Sequence, residues 1–389
     1  MNRPPHIDFD FDTPLPLATR GGLKWSRYAG RDVVPMWVAD MDFAAPPPVL
    51  ARLAEEAAFG HFGYRKAETA LVEATLGHLE AQYGWKVAAE WLVWLPGLVV
   101  GLNLAVRAAT RPDQAVFTAT PVYPPFLSAP GNAERALRTQ ALRDSGSAWE
   151  WDFDALATQL PGCGLWLLCS PHNPVGRAWR EDELTRIGEL ALRHDLVVCA
   201  DEIHCDLLLA EGARHRPFAS LSPDLAARSI TLMAPSKTFN VPGLGAAFAV
   251  IPDAGLRARF KRTMAGLVPE VNALGFAAME VALRDCEDWR QALLAHIRQQ
   301  ARRVEEAVEA LSGLSMRPVE ATYLAWIDCR DWMAARGVAN AQRHFEEHGL
   351  GLSDGADFGA PGFVRLNFGC PGATLEEGLR RLRAAHAAA

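Results

Sequence analysis

The sequence predicts an α/β fold: a mostly parallel central sheet sandwiched by helices, followed by a smaller α+β domain. Three observations predict it. Six short runs, at 92–95, 115–119, 165–169, 196–200, 230–233 and 246–251, are apolar on both faces, as strands buried from both sides must be. Between several of them lie segments with helical periodicity, at 98–109, 181–194 and 256–267, and strand alternating with helix builds a parallel sheet with both faces covered. After about residue 285 the texture changes to a long charged, Ala-rich helical pattern at 288–311. It is followed by a strand-like 323–327, a helix near 335–347, a strand-like 363–368 and a terminal Ala/Arg/Leu-rich helix. We therefore expect an arm over 1–45 that packs on the small domain, a large domain over 46–285 and a small one over 286–389.

Composition narrows the function classes. Of the 389 residues, 50% are hydrophobic and 22% charged, with a net charge of −7, so nothing favours a nucleic acid or a membrane surface as partner. The most apolar stretch, 91–106, is interrupted by Pro96, Gly97, Gly101 and Asn103 and is too short to span a bilayer. The opening residues carry early acids and no apolar core, so no leader peptide is expected. Seven cysteines form an odd set without a C-x-x-C pair, and several sit in apolar runs, which points to reduced thiols and a cytoplasmic setting.

Sheets of this kind place ligands at the carboxyl ends of their strands, so the loops there come next. Asp201 ends an apolar run, where a buried acid needs a cation; alone it reads equally as a cap or a metal ligand. Asn173 is held in the rigid segment SerProHisAsnProValGly, although Asn-Pro turns are common. Lys237, in MetAlaProSerLysThrPheAsn, directly follows a buried strand. Desolvation there makes a lysine a nucleophile for Schiff-base chemistry, whereas most lysines are solvated surface groups.

Taken together, Asn173, Asp201 and Ser236–Lys237 at three strand ends resemble the pyridoxal-5′-phosphate (PLP) fold-type-I, or aminotransferase class I/II, superfamily, from about Pro35 to Pro371. The resemblance implies that Lys237 carries PLP as a Schiff base, that Asp201 pairs with the pyridinium nitrogen and that Asn173 meets the ring's phenolic oxygen. It further implies that Tyr123 stacks on the ring, and that Gly97, Leu98, Val99 and Ser236 hold the phosphate. Tyr64 would reach the phosphate across a homodimer interface, and Arg365 would bind the substrate α-carboxylate with its two-pronged guanidinium. Four strings, ProMetTrpValAlaAspMetAspPhe, ProValTyrProProPhe, AspGluIleHisCysAspLeu and AlaProSerLysThrPheAsnValProGlyLeu, look like the cystathionine β-lyase and C–S lyase subgroup of MalY and PatB type. That subgroup eliminates a thiol from L-cystathionine or another cysteine S-conjugate, leaving pyruvate and ammonia. Lys237 would be the base, Tyr123 or Tyr64 the acid for the leaving thiolate, and Trp37, Val38 and Ala39 would lie over the substrate.

Two departures from the aminotransferase pattern stand out. Gly245, eight positions after Lys237, occupies the place of a phosphate-binding arginine, and His204 stands where many aminotransferases have tyrosine. The histidine matches the lyase subgroup. An aminotransferase on the same fold remains the first alternative, because both reactions share the carbanion step. A regulatory protein that keeps the fold is the second. A metal hydrolase using His172, His204 and Asp201 is a poor third, since no further ligand has a suggestive spacing.

Overall fold

The computed structural model describes residues 9–388. Seven strands form one sheet in the order 92–95, 247–250, 229–233, 197–201, 163–169, 115–120 and 137–141. Cys163–Cys169 pairs in parallel with Ala115–Thr120 and Val197–Asp201, and Val197–Asp201 with Ser229–Met233. All six expected runs are strands of this sheet. The structure adds Leu137–Ala141 at the edge, a half-exposed strand with mixed polarity that carries no apolar run.

Ala247–Val250 is antiparallel to both of its neighbours. A strand buried on both faces reads the same in either direction, so the sequence hides this. The reversal has a positional result: Leu92–Leu95 stays parallel to the other five strands, and six carboxyl ends share one edge.

The pleat sorts the core into two layers. Leu165, Leu167 and Cys199 face the helix Leu98–Ala109, while Trp166, Leu168 and Val198 face Glu181–Arg193 through Leu184 and Ile187. Gly101 allows the first helix its close approach, since a Cβ there would lie 2.9 Å from Leu232 Cδ2.

Beyond the sheet, Glu287–Glu309 is a single long helix. A four-stranded antiparallel sheet follows, in the order 315–316, 324–328, 363–367 and 353–354, with the helix Gly372–Ala387 packed beside it. The one helix expected near 335–347 is two, Arg330–Arg336 and Ala341–Glu347. Gly337 ends the first at φ 69° and the Asn340 side chain caps the second.

Val34–Pro35 pairs in parallel with Leu350–Gly351, and the Tyr28 hydroxyl donates to Glu346 at 3.1 Å, so the segment around residues 28–35 lies against this second region. Residues 1–8 of the expected arm fall outside the described residues. All seven cysteines are buried and free. Among the described residues, no helix is long and apolar enough to cross a membrane, and no cluster could hold a metal ion.

Candidate active site

The loops that carry Gly97, Tyr123, Asn173, Asp201 and Lys237 leave the same edge of the large sheet. Tyr123 follows Ala115–Thr120, Asn173 follows Cys163–Cys169, Asp201 ends Val197–Asp201, and Lys237 follows Ser229–Met233. Gly97 joins Leu92–Leu95 to the helix that begins at Leu98. Cross-links hold the loops in register. The Tyr123 N–H donates to the Asn173 carbonyl at 3.1 Å, and the Ser170 N–H to the Asp201 carbonyl at 3.0 Å.

Lys237 Nζ donates to the Ala39 carbonyl, which also accepts the buried Tyr323 hydroxyl at 3.0 Å. Burial pulls the amine down to about 8, with the Asp40 charge next in size and opposing that fall. Most carbonyls of the 36–43 segment are taken by side chains from elsewhere. Asn367 Nδ2 donates to Val38 and Asp40, Asn240 Nδ2 to Met41 and Phe43, and Arg365 Nη2 to Trp37. Asn240 has φ 54°, a left-handed conformation that asparagine tolerates better than most residues.

Arg365 is 4% exposed, in the strand Phe363–Asn367. Nη1 donates to Asn173 Oδ1 at 3.0 Å and Nη2 also reaches Ser353 Oγ at 3.4 Å, while the guanidinium carbon stands 4.7 Å from the Phe358 ring centre. Burial lowers its pKa to about 10, which still leaves a cation at neutral pH. The bond from Arg365 fixes the Asn173 amide with its N–H₂ pointing elsewhere, free to donate.

Several enclosed polar groups here have fewer partners than they can use. Asp201 is buried with only the Ile203 N–H on its carboxylate, at 3.2 Å, and desolvation raises its pKa to about 7. His204 Nδ1, Thr238 Oγ1 and Arg365 Nε are enclosed without a hydrogen-bond partner. Burial lowers His204 to about 3, so its ring is neutral. The helix at Leu98 begins without a side-chain cap, leaving its first N–H groups open to an anion. A buried acid that needs a cation, an amine, an amide donor and an anion-binding helix end fit PLP, whose ring nitrogen is basic and whose phosphate is anionic.

Gly245 acquires a structural reason. It has φ 57°, and a Cβ there would stand 3.1 Å from the Pro96 carbonyl, so the turn strains any side chain at the place of the aminotransferase arginine.

Not every expected residue joins the cluster. Tyr64 is fully exposed and bonds to nothing among the described residues, and Val99 is 44% exposed. Ser236 is half-buried beside Lys237. The structure adds Lys24, Asp40, Asn240, Tyr323, Ser353 and Asn367. Of these only Asp40 and Asn240 lie inside the motif strings, where they could have been weighed. A crevice of about 1550 Å³, lined by Tyr83, Arg177, Cys205, Asp206 and Arg290 among others, holds none of the expected residues.

Comparison with known proteins agrees with this geometry. The family model for aminotransferase class I and II matches residues 32–382. Cystathionine beta-lyase PatB of Bacillus subtilis is 38% identical over 377 residues, covering 93% of this chain and 96% of that protein. A crystal structure of OvoB superposes with a TM-score of 0.95 at 46% identity, covering 98% of this chain and 100% of that one. The PLP-bound C-S lyase from Staphylococcus hominis superposes with a TM-score of 0.91 at 28% identity, over 97% and 98% of the two chains. With a family model spanning nearly the whole fold and the strand-end residues gathered at one edge, the chain belongs to the aminotransferase class I and II family.

Proposed function

We propose that the chain is a PLP-dependent carbon–sulfur β-lyase, which converts cystathionine or another cysteine S-conjugate into a thiol, pyruvate and ammonia. The observation that carries this reading is the placement of one amine, Lys237, in a site that also holds the buried acid Asp201 and the buried cation Arg365. The relatives named as cystathionine β-lyase and C-S lyase support it.

When bound, PLP supplies an electron sink for the negative charge that develops at the substrate Cα. Asp201 would hold the proton of the ring nitrogen, and the buried carboxylate would gain there the cation it lacks. Asn173 would donate its amide to the phenolic oxygen, beside the neutral His204, and Tyr123 would cover the ring. Gly97, Leu98, Val99 and Ser236 hold the phosphate through backbone N–H groups and a hydroxyl. Arg365 turns its fork to the substrate α-carboxylate, under the carbonyl of Trp37 and beside Val38 and Ala39. Lys237, with a pKa near neutrality, takes the Cα proton. Burial, then the Asp201 charge, raises the Tyr123 pKa, so its hydroxyl keeps a proton to give to the leaving thiolate.

The same proposal includes a homodimer in which Tyr64 from a second copy reaches the phosphate, and it takes the arm, large domain and small domain as 1–45, 46–285 and 286–389. It places the protein in the cytoplasm, where seven free thiols stay reduced.

Pyruvate release from L-cystathionine by the PLP-loaded protein, without added 2-oxo acid, tests the reading. Sustained release supports a lyase. Activity only with a 2-oxo acid means an aminotransferase, and inactivity with a panel of cysteine S-conjugates under both conditions favours a regulatory role.

A further inference from the structure

The arm and the 36–43 segment bring charges together beside Lys237. Lys24 is 2% exposed, and its ammonium bonds to Asp42 Oδ2 at 3.0 Å and to the Asp40 carbonyl at 3.2 Å. The Trp25 indole N–H takes the other Asp42 oxygen at 3.0 Å, so the Asp42 carboxylate is engaged on both sides. Asp40 differs. Its Oδ1 is enclosed and has no hydrogen-bond partner. Its backbone is pinned by Lys24 and by Asn367 Nδ2 at 2.7 Å, and the preceding carbonyl, that of Ala39, is the one Lys237 occupies. A half-buried carboxylate with one oxygen enclosed and unpartnered gains from any further cation that forms nearby.

We propose that Asp40 is a positioning residue for the Lys237 proton: its carboxylate is the counter-charge that holds Lys237 Nζ as an ammonium once that amine has taken the substrate Cα proton. This rests on the reading of Lys237 as the base. No atoms are exchanged with Asp40, since the proton stays on Nζ at the Ala39 carbonyl and Asp40 lowers the free energy of the charged form. Asp40 is the leading charge that raises the proton affinity of Lys237, ahead of Asp201, while Arg365 and burial oppose it. The charged and titratable groups that face Asp40 are Lys24 from the arm, Asp42 from its own loop and Lys237. Tyr323 faces it from the second sheet, with its own proton held firmly by burial first and the Asp40 charge next. Burial raises the Asp40 pKa, and the Lys24 charge, next in size, opposes that rise ahead of the repulsion from Asp42.

The test is the pH midpoint of the visible absorbance of the PLP-loaded protein, which reports protonation of the nitrogen that Lys237 supplies. Asp40→Asn should lower that midpoint by about one pH unit, the usual effect of losing a nearby opposite charge. Turnover should fall about tenfold, because the ammonium that forms as the proton moves loses its counter-charge. Asp40→Glu should restore most of the midpoint, which a purely steric role would not predict. Should Asp40→Asn fail to fold, Asp40→Ser carries the same expectation. A midpoint unmoved in the charge-removing variant overturns the proposal.

If the wild-type protein shows no visible band with PLP, it is the cofactor reading that fails. The rate at which trinitrobenzenesulfonate labels Lys237 in the full-length, cofactor-free chain then reads the same charge pair. Its midpoint, near pH 8 in the wild type, should fall in Asp40→Asn, and equal midpoints overturn the proposal.

Discussion

Asn173, Asp201 and Lys237 were legible because each lies at or just beyond the end of a buried strand, where a polar side chain needs a reason to be. Asp201 illustrates what such a position entails. Its folded pKa, about 7, lies above the ordinary 3.8, so the protonated acid contributes stability that is complete below pH 3.8 and lost as pH rises through 7. The difference is on the order of 4 kcal/mol. In the cofactor-free chain, the melting temperature of the wild type should therefore fall relative to Asp201→Asn between pH 4 and pH 7. Parallel curves would mean that the acid is ionised throughout. Arg365→Ala should raise KM for L-cystathionine roughly a hundredfold, a loss of about 2–3 kcal/mol for a charged hydrogen-bonded pair. Arg365→Lys should recover little, since a point charge lacks the fork. Tyr323, Asn367 and Lys24 escaped notice because they act on backbone carbonyls far away in sequence, and a carbonyl leaves no mark on composition or periodicity.

At the level of elements, the pattern of apolar runs placed the strands well and their directions poorly. Ala247–Val250 is buried on both faces and gives no sign of its antiparallel course, while Leu137–Ala141 sits at an edge where polarity is tolerated. The single helix expected near 335–347 breaks because Gly337 permits a left-handed turn. The turns make sharper predictions. Asn240→Ala removes three hydrogen bonds to the 36–43 segment, with Met41 N, Met41 O and Phe43 O, and should lower stability in urea by about 2–3 kcal/mol. Gly245→Arg restores the side chain common in aminotransferases, yet it needs φ near 57° and meets the Pro96 carbonyl. We expect it to destabilise the fold by about 1–2 kcal/mol and to weaken PLP binding in a fluorescence titration.

For the whole molecule, the exposed side chains Phe59, Phe62, Tyr64 and Leu267 are large apolar groups left in water by a single chain. Sedimentation equilibrium should find a species near twice the 42.4 kDa chain mass, and Tyr64→Phe should keep that mass while weakening PLP binding about tenfold. A sole 42.4 kDa species would remove the shared site. The arm has a consequence for how the molecule is made. Val34 pairs with Leu350, and Val38 and Asp40 wait for Asn367, so this segment is completed by a residue translated 327 positions or more after it. The seven-stranded sheet can collapse as soon as its own strands have emerged from the ribosome, but this wall of the cleft cannot close until Phe363–Asn367 has followed them.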